Sequence, residues 1–440
     1  MKLVKVLSAA AILATSVLML AACGDKDASS NSDKTTITFW AAPNPTQVKY
    51  WKEMATQFHK KNPDITVKVS QMKESPSSEA TIQSAIASGT APTLSENITR
   101  SFAAQLAKSK AIVSLNTDAT TKAKMSELIS DRNMTKTIDS WKFANGSQYV
   151  VPVYSNPMLV GWRLDSLKAL GINTVPKTYS DVKAVETALK AKKSKQVVYA
   201  NPTVIDPTAW QRWFDFFPFY DAASDGSGFI SGKKFVGDKK AGVEAFTFVQ
   251  DLYKNKQLIT KKTTDPFETK MSLMNIIGPW TFPNWAEKYP DLKSGKNYTI
   301  TSVPVPDSMK GNQNVKTYAD AKGVVLYAKS TTAQKKAAME FIDFTMGNVK
   351  NDVKLLDTTS LLPARDDASS NSAFTTYFEK NPEMKVYAKN VPNAIPAMDN
   401  ADYNDLQEKL GNEGWIPAVK GEKTPTKAWD DMAKAIKGAL

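Results

Sequence analysis

Cys23 is the only cysteine among the 440 residues, and its neighbours indicate a specific chemistry. It follows Leu20-Ala21-Ala22 and precedes Gly24, so small side chains occupy the two positions before it, which fits the groove of a signal peptidase. The thiol is the nucleophile that lipoprotein biogenesis acylates, which predicts a diacylglyceryl group and palmitate on Cys23. An ordinary secretory signal with a chance cysteine is the alternative.

The segments on either side of the cysteine agree with lipidation. Lys2 and Lys5 form a positive start, and the apolar stretch 6–20 is too short and too rich in Ala, Ser and Thr to span a bilayer comfortably. Residues 1–22 are therefore expected to be a cleaved signal peptide. Residues 23–34 are rich in Ser, Asp, Asn and Lys, which is typical of a solvated, lipid-anchored tether. The expected location is the extracellular face of the cell membrane, in a single-membrane bacterium.

The charge of the chain indicates which partners to expect. The formal net charge is +13, and removal of Lys2 and Lys5 with the signal would lower it by two, to +11. The lysines are scattered and often lie near Asp or Glu, so they are read mainly as a solvated surface with a weak attraction for anionic wall polymer. Nucleic acid is not an expected partner of an exported protein.

The sequence lacks the residues that several classes of catalytic chemistry require. His59 is the only histidine, and it lies beside Lys60 and Lys61 on the polar side of an expected helix. Nucleophilic Ser-His-Asp and Cys-His sites and His- or Cys-rich metal sites are therefore excluded. No glycine-rich phosphate loop occurs, and neither a cofactor nor a metal is expected. Paired carboxylates for glycoside hydrolysis remain open, because the sequence has 44 acidic residues.

Aromatic side chains are abundant, with 10 Trp, 14 Tyr and 18 Phe. Trp40 ends an expected strand, and Trp280, Trp285 and Trp415 follow turn residues. Any one of them could simply fill a core. Several indoles at the carboxyl ends of strands in an open α/β sheet, where ligands bind, would instead favour a stacking site for sugar rings. Asn, Asp, Glu and Arg would then take the hydroxyl groups of the sugar.

The hydrophobic periodicity predicts the elements that position these residues. Residues 35–41 and 65–69 alternate as strands, and 46–61 and 78–88 have helical spacing. The order β-α-β-α implies a parallel, doubly wound sheet. Further expected strands are 149–153, 298–305 and 322–328, and further expected helices are 241–254, 332–346 and 425–440.

A series of segments, in a fixed order, resembles one known family. They are residues 87–92, 151–175, 176–179, 227–281, 322–326, 337–344 and 362–365. Together they resemble the extracellular solute-binding proteins (family 1) of ABC sugar importers, the group that contains maltose/maltodextrin-binding proteins. The agreement includes Gly278-Pro279-Trp280 and Leu362-Pro363-Ala364-Arg365.

The resemblance implies an α/β fold with two periplasmic-binding-protein-like lobes, a hinge and an interlobe ligand cleft. Lobe one would comprise 35–152 plus 303–355, and lobe two 153–302 plus 356–440. The implied function is that of the substrate-binding component of an ABC importer, which is not an enzyme. It would capture a carbohydrate by hinge closure and deliver it to the permease transmembrane subunits. A monomer is expected.

The resemblance also implies ligand-binding residues. Trp280 matches the stacking tryptophan of the family, and Tyr403 lies beside a C-terminal stacking aromatic whose own register is held by Asp402. Asn156 replaces a carboxylate that contacts sugar in the maltodextrin binder. Asn97 replaces a tryptophan of lobe one. The remaining implied positions are Arg100, Asp206, Trp210, Trp40 and Asn44, of which the last two lie in the loop that follows the first strand.

The departures from the family pattern bear on the ligand. The changes at Asn97, Asn156 and Asp402 argue against maltodextrin, so the expected ligand is another carbohydrate, an oligosaccharide more than a monosaccharide. Two alternatives remain open. The chain could be a surface-anchored glycan hydrolase, or an ABC binding protein for a non-sugar solute such as a polyamine, a peptide or a phosphorylated polyol.

Overall fold

The computed structural model describes residues 34–75, 77–209 and 212–440. Residues 34–440 form one compact unit. The predictions for the signal peptide, Cys23 and most of the tether lie outside the described residues, as does Trp210. Within the described ranges, no helix combines the length and the apolar composition that crossing a membrane requires.

The strands are short and alternate with helices for much of the chain. They are β1 (Thr35–Ala41), β2 (Ile65–Gln71), β3 (Leu94–Ile98), β4 (Val151–Pro157), β5 (Leu159–Arg163), β6 (Val197–Ala200), β7 (Ile230–Ser231), β8 (Lys234–Phe235), β9 (Leu258–Ile259), β10 (Ser272–Ile277), β11 (Tyr298–Thr301), β12 (Thr317–Leu326) and β13 (Ala394–Ile395).

The α-helices account for most of the remaining regular structure. They are α1 (Pro45–Lys61), α2 (Ser78–Ser88), α3 (Arg100–Lys108), α4 (Lys122–Asp131), α5 (Thr135–Trp141), α6 (Leu164–Ala169), α7 (Tyr179–Ala191), α8 (Phe217–Ala223), α9 (Lys239–Lys254), α10 (Thr281–Lys288), α11 (Thr332–Met346), α12 (Val349–Thr359), α13 (Thr375–Lys380), α14 (Pro382–Asn390), α15 (Tyr403–Lys409), α16 (Ile416–Lys420) and α17 (Pro425–Ala439).

The first sheet has the strand order β13-β12-β3-β1-β2, with β4 paired to β12. β1 is parallel to both β2 and β3, which confirms the predicted doubly wound β-α-β-α start. Asn44 caps α1 by accepting from the Thr46 amide, and Pro45 occupies the first turn, where a missing amide proton costs nothing. The buried face of α1, which includes Trp51 and Phe58, covers this sheet.

The second sheet has the order β11-β5-β10-β6-β9. β10 is parallel to β6 and antiparallel to β5, so the sheet is mixed. A second hydrophobic core lies around it, to which α7 contributes aliphatic side chains and α8 and α9 contribute several aromatic ones. Trp285 and Trp415, which we expected at turns, lie in α10 and in a π-helical stretch (Leu410–Trp415), and both fill cores.

β4 and β12 connect the two sheets. β4 ends at Pro157 in the first sheet, and β5 begins two residues later in the second. β12 starts where the Thr317 hydroxyl donates to the Met158 carbonyl at 2.6 Å, and its Tyr318 packs in the second core. The other end of β12, including Val324, packs in the first core. These two antiparallel strands are termed the crossover strands below; β12 contacts both cores, and β4 leads from the first sheet to the second.

Candidate functional site

The crossover strands carry a row of polar side chains on one face. Asp320 of β12 pairs with Asn156 of β4, and Lys322 pairs with Tyr154. Residues directly opposite each other in an antiparallel pair project from the same face of the sheet. Tyr154, Asn156, Asp320 and Lys322 therefore form one patch, termed the polar face.

Asp320 is the acidic group of this patch. Burial raises its pKa, while the nearby Lys322 and the Asn156 side chain act in the opposite direction. Asn156 is itself fully buried, and its Oδ1 accepts from the Leu362 amide at 3.2 Å. A carboxyl group that has lost most of its water gains from hydrogen-bond donors, which a bound ligand can supply.

A second carboxyl group, that of Glu96, lies in the middle of β3 and level with the end of β1. Glu96 is fully buried, and burial raises its pKa, opposed by hydrogen bonds from the Ala42 amide at 2.9 Å and from Gln47 Nε2 at 2.8 Å. The attraction of Lys322 also lowers this pKa. Lys322 Nζ donates to Asn97 Oδ1 at 2.9 Å. The polar face is thus continuous with the carboxyl-end edge of the parallel strands, where ligands bind in open α/β sheets.

Five aromatic side chains adjoin the polar face through Tyr318. The ring of Trp213 stacks on Tyr318 and on Tyr403, with centroid distances of 6.0 and 6.4 Å. The ring of Phe214 lies 6.1 Å from Tyr318 and 6.0 Å from Trp280. We term these five residues the aromatic group.

Trp280 and Phe214 are exposed, unlike most large apolar side chains of the protein. They keep 45% and 39% of their surface accessible, and among the described residues only Val236 and Met271 are comparable large exposed apolar side chains. Two adjacent, exposed aromatic rings leave flat apolar surface uncovered. Such a surface suits a ligand with a flat apolar face of its own.

The backbone before Trp280 determines where its indole lies. Trp280 lies between β10 and α10, immediately before the helix begins, and its ring covers Gly278. A Cβ atom at position 278 would lie 2.3 Å from the indole, so a larger residue there would displace the ring. Glycine at 278 therefore permits the orientation in which Trp280 faces Phe214.

The structure brings four of the residues implied by the resemblance together at this place. Trp280 and Tyr403 belong to the aromatic group, Asn156 belongs to the polar face, and Asn97 binds Lys322. Tyr403 is buried, and its hydroxyl donates to Glu79 Oε1 at 2.9 Å.

Four further residues implied by the resemblance have side chains that bond to, or pack against, other parts of the fold. Trp40 is partly buried against the first core. The Asn44 side chain caps α1, and the Asp206 carboxylate accepts from the amide and hydroxyl of Thr208 at 2.8 and 2.7 Å. Arg100 donates to the Trp141 carbonyl at 3.3 Å and pairs with Asp399 at 3.5 Å.

Sequence reasoning missed Asp320, Lys322, Tyr318, Trp213, Phe214 and Glu96. Three of them, Tyr318, Asp320 and Lys322, alternate with the small or apolar residues of β12 and so share one face. That alternation in the sequence predicts a strand with one polar face. No comparable pattern distinguishes Phe214 within its aromatic-rich stretch.

Two other features bear on alternative chemistry. A cavity of about 510 Å³ lies between α10 and α14 and is lined by Phe282, Trp285 and Tyr298, apart from the polar face. Within the part of the chain that the structure describes, no three His, Cys, Asp or Glu residues are grouped so that they could hold a metal ion.

Comparison with known proteins gives the class of the chain. Residues 53–386 match the family described as bacterial extracellular solute-binding protein, and the chain belongs to that family. Its members bind solutes, so the chain is a binding protein and not an enzyme. No curated protein sequence matches it significantly.

Solved structures agree with this class. An uncharacterized protein from Listeria monocytogenes EGD-e is 60% identical, with a TM-score of 0.89 over 92% of this chain and 100% of that one. The sugar-binding protein MalE from Xanthomonas citri shares 15% identity, with a TM-score of 0.74 over 92% and 97% of the two chains. The cyclic α-maltosyl-1,6-maltose binding protein of Arthrobacter globiformis shares 18%, with a TM-score of 0.70 over 92% and 98%. The α/β, two-lobed fold expected from the sequence is thereby confirmed.

Proposed function

We propose that the chain is the lipid-anchored, extracytoplasmic substrate-binding component of an ABC importer, and that its ligand is a carbohydrate, more specifically an oligosaccharide. The observation that carries the proposal is the exposed pair of rings, Trp280 and Phe214, beside a polar face that contains a partly buried carboxyl group. The two distant structural relatives from Arthrobacter and Xanthomonas, which are described as sugar binders, support the same ligand class.

The chemistry of a pyranose fits these two surfaces. Its C–H face is apolar and packs on an aromatic ring, here Trp280 or Phe214. Its hydroxyl groups donate to carboxylates and accept from ammonium and amide groups, here those of Asp320, Lys322 and Asn156. The two exposed rings together offer more stacking surface than one sugar ring covers, which favours an oligosaccharide.

Capture is proposed to occur by closure of two lobes, 35–152 plus 303–355 and 153–302 plus 356–440. The crossover strands would contribute to the hinge, because β12 contacts both cores and β4 leads from the first sheet to the second. Residues 397–403 would be part of the contact that closure forms, because this segment lies against α2 and α3. Its hydrogen bonds are Ser101 Oγ to the Met398 carbonyl at 2.6 Å, Gln105 Nε2 to the Ala401 carbonyl at 2.7 Å and Tyr403 to Glu79 at 2.9 Å.

Ligand binding should raise the thermal midpoint of the chain lacking residues 1–23. A ligand at about 100 times its dissociation constant adds roughly 2.7 kcal/mol to the stability of the form that binds it. We expect this increase from at least one oligosaccharide in a panel measured by differential scanning fluorimetry, and the sugar should be recovered intact by chromatography.

The same panel should include polyamines, short peptides and polyol phosphates as non-sugar solutes. A midpoint that rises with one of these and with no sugar would show that the ligand class is wrong. Cleavage of a sugar in the panel would contradict a binding role.

The lipid anchor is tested separately in cells. The intact chain should incorporate labelled palmitate and stay with the membrane fraction, whereas the Cys23→Ala variant should do neither. A matched Ser29→Ala change within the same tether should leave the label in place. Palmitate incorporation by the Cys23→Ala variant would place the lipid elsewhere.

A further inference from the structure

A concave surface of about 660 Å³ lies where α7 and α9 end. Lysine side chains dominate its lining, and Glu186 is its only acidic residue. We term the lining lysines the lysine pocket; they are Lys183, Lys190, Lys193, Lys254 and Lys256. The pocket is separate from the polar face and the aromatic group.

The fold assembles this pocket from two distant parts of the chain. Residues 190–193 and 254–256 meet because α7 and α9 end beside each other. Asn255 Nδ2 donates to Glu186 Oε2 at 2.8 Å, which ties the two helices together and occupies the one carboxylate of the pocket. The lysines come from two segments that lie far apart in the sequence, so only the fold brings their charges together.

The positive charge of the pocket exceeds its negative charge, since Glu186, which Lys183 attracts, is the one carboxylate beside five lysines. Lys254 Nζ donates to the neutral Gln250 side chain at 2.7 Å. Among the described residues, no ion pair within 4 Å involves any of the five, although lysines elsewhere, such as Lys239 with Asp430 at 2.7 Å, do form such pairs. Positive charge is therefore concentrated in a recess with a single carboxylate, which raises the local concentration of anions.

Two of the lysines occupy backbone positions that favour glycine. Lys193 and Lys256 have φ angles of 50° and 58°. Each is the left-handed residue that ends its helix, and the next amide closes the turn, from Ser194 to the Leu189 carbonyl at 2.9 Å and from Gln257 to the Leu252 carbonyl at 2.7 Å. Glycine suits such positions better than a side chain with a Cβ atom, so each lysine can be replaced by glycine without disturbing the end of its helix.

We propose that the lysine pocket binds the phosphate groups of a phosphodiester polymer of the cell envelope. Charge complementarity selects a polyanion, and lysines from two helix ends on one recess can contact successive phosphates of a single chain. The proposal depends on the extracytoplasmic location of the protein but not on its sugar ligand. Binding there would hold the receptor body at the envelope in addition to the lipid on Cys23.

Short inorganic polyphosphate is the probe, with fluorescence anisotropy or calorimetry as the readout. The double variant Lys193→Gly/Lys256→Gly should bind it about 30-fold more weakly at low salt. The slope of log affinity against log salt should fall by about 0.7 for each lysine removed. Its thermal midpoint should stay unchanged or rise, since glycine suits the left-handed position.

Lys110 provides a matched control. It has a φ angle of 56° and ends α3 with the same turn, closed by the Ala111 amide to the Leu106 carbonyl at 2.9 Å. Lys110→Gly should leave polyphosphate binding unchanged. If Lys110→Gly and the double variant lost polyphosphate affinity equally, the effect would be one of overall charge. If the protein bound phosphatidylglycerol vesicles in preference to polyphosphate, the ligand would be a membrane surface. Either result overturns the proposal.

Discussion

Replacing Trp280 with alanine is expected to weaken sugar binding by about 1–3 kcal/mol, which is roughly five- to 150-fold in affinity. The loss follows from removing a ring that is 45% exposed and free to stack on a sugar. Because Trp280 belongs to none of the hydrophobic cores, the thermal midpoint of the unliganded variant should change little. Isothermal titration with a sugar identified in the thermal screen measures both the affinity and the stoichiometry.

The neighbouring glycine allows a sharper version of this experiment. Gly278→Ala leaves Trp280 in the chain but places a Cβ atom 2.3 Å from its ring, so the indole must move. This variant should therefore lose affinity in the same direction as Trp280→Ala. Gly228→Ala is the matched control, since the nearest side-chain atom to its added Cβ is 3.7 Å away. Unchanged affinity in Trp280→Ala would remove Trp280 from the site.

The elements best predicted from sequence are those in which apolar spacing and end signals agree. α2 and α11 begin and end where expected, because Ser77 and Thr331 cap them and Gly89 ends α2 in a left-handed conformation. β12 was predicted only from Lys322 onward. Its first half alternates Tyr318 and Asp320 with small residues, and the buried surroundings that keep it in the sheet come from the distant strand β4.

The site was less predictable than the fold, and the reason differs from residue to residue. Trp280 was identifiable because Gly278-Pro279 marks the turn that presents it. Phe214 and Phe216 have the same side chain two positions apart, yet Phe214 is 39% exposed and Phe216 is fully buried. Only the packing of α8 and α9 distinguishes them. For polar residues the sequence does not show whether a side chain binds a ligand or the backbone. The side-chain oxygens of Asn44 and Asp206 accept hydrogen bonds from nearby backbone amides.

A buried charge cluster beside the crossover strands should dominate stability. Arg132, Asp352 and Arg365 have side chains that are 0%, 1% and 3% exposed. Asp352 Oδ1 accepts from Arg132 Nη2 at 2.8 Å, and its Oδ2 accepts from Arg132 Nε at 3.2 Å and from Arg365 Nη1 at 3.0 Å. One carboxylate thus compensates two guanidinium groups, although Arg365 also pairs with Asp367.

Asp352→Asn is expected to lower the free energy of unfolding by about 3–5 kcal/mol, measured by urea denaturation. The amide keeps the shape of the side chain but removes its charge, which leaves Arg132 buried without a counter-ion. Asp430→Asn, which breaks the exposed pair with Lys239, is the control and should cost less than about 1 kcal/mol. Equal, small losses in both variants would show that the buried cluster contributes no more than a surface pair.

The same cluster should also affect ligand binding through β4. Arg132 Nη2 donates to the Val153 carbonyl at 2.7 Å, and Arg132 Nη1 donates to the Pro152 carbonyl. These hydrogen bonds hold β4 in place. β4 carries Asn156, which lies opposite Asp320 of β12. If Arg132 shifts once its counter-ion is removed, the polar face loses its alignment, so Asp352→Asn should weaken sugar binding even under conditions where the variant is fully folded. Unaltered affinity in the folded variant would show that the cluster stabilises the fold without positioning the site.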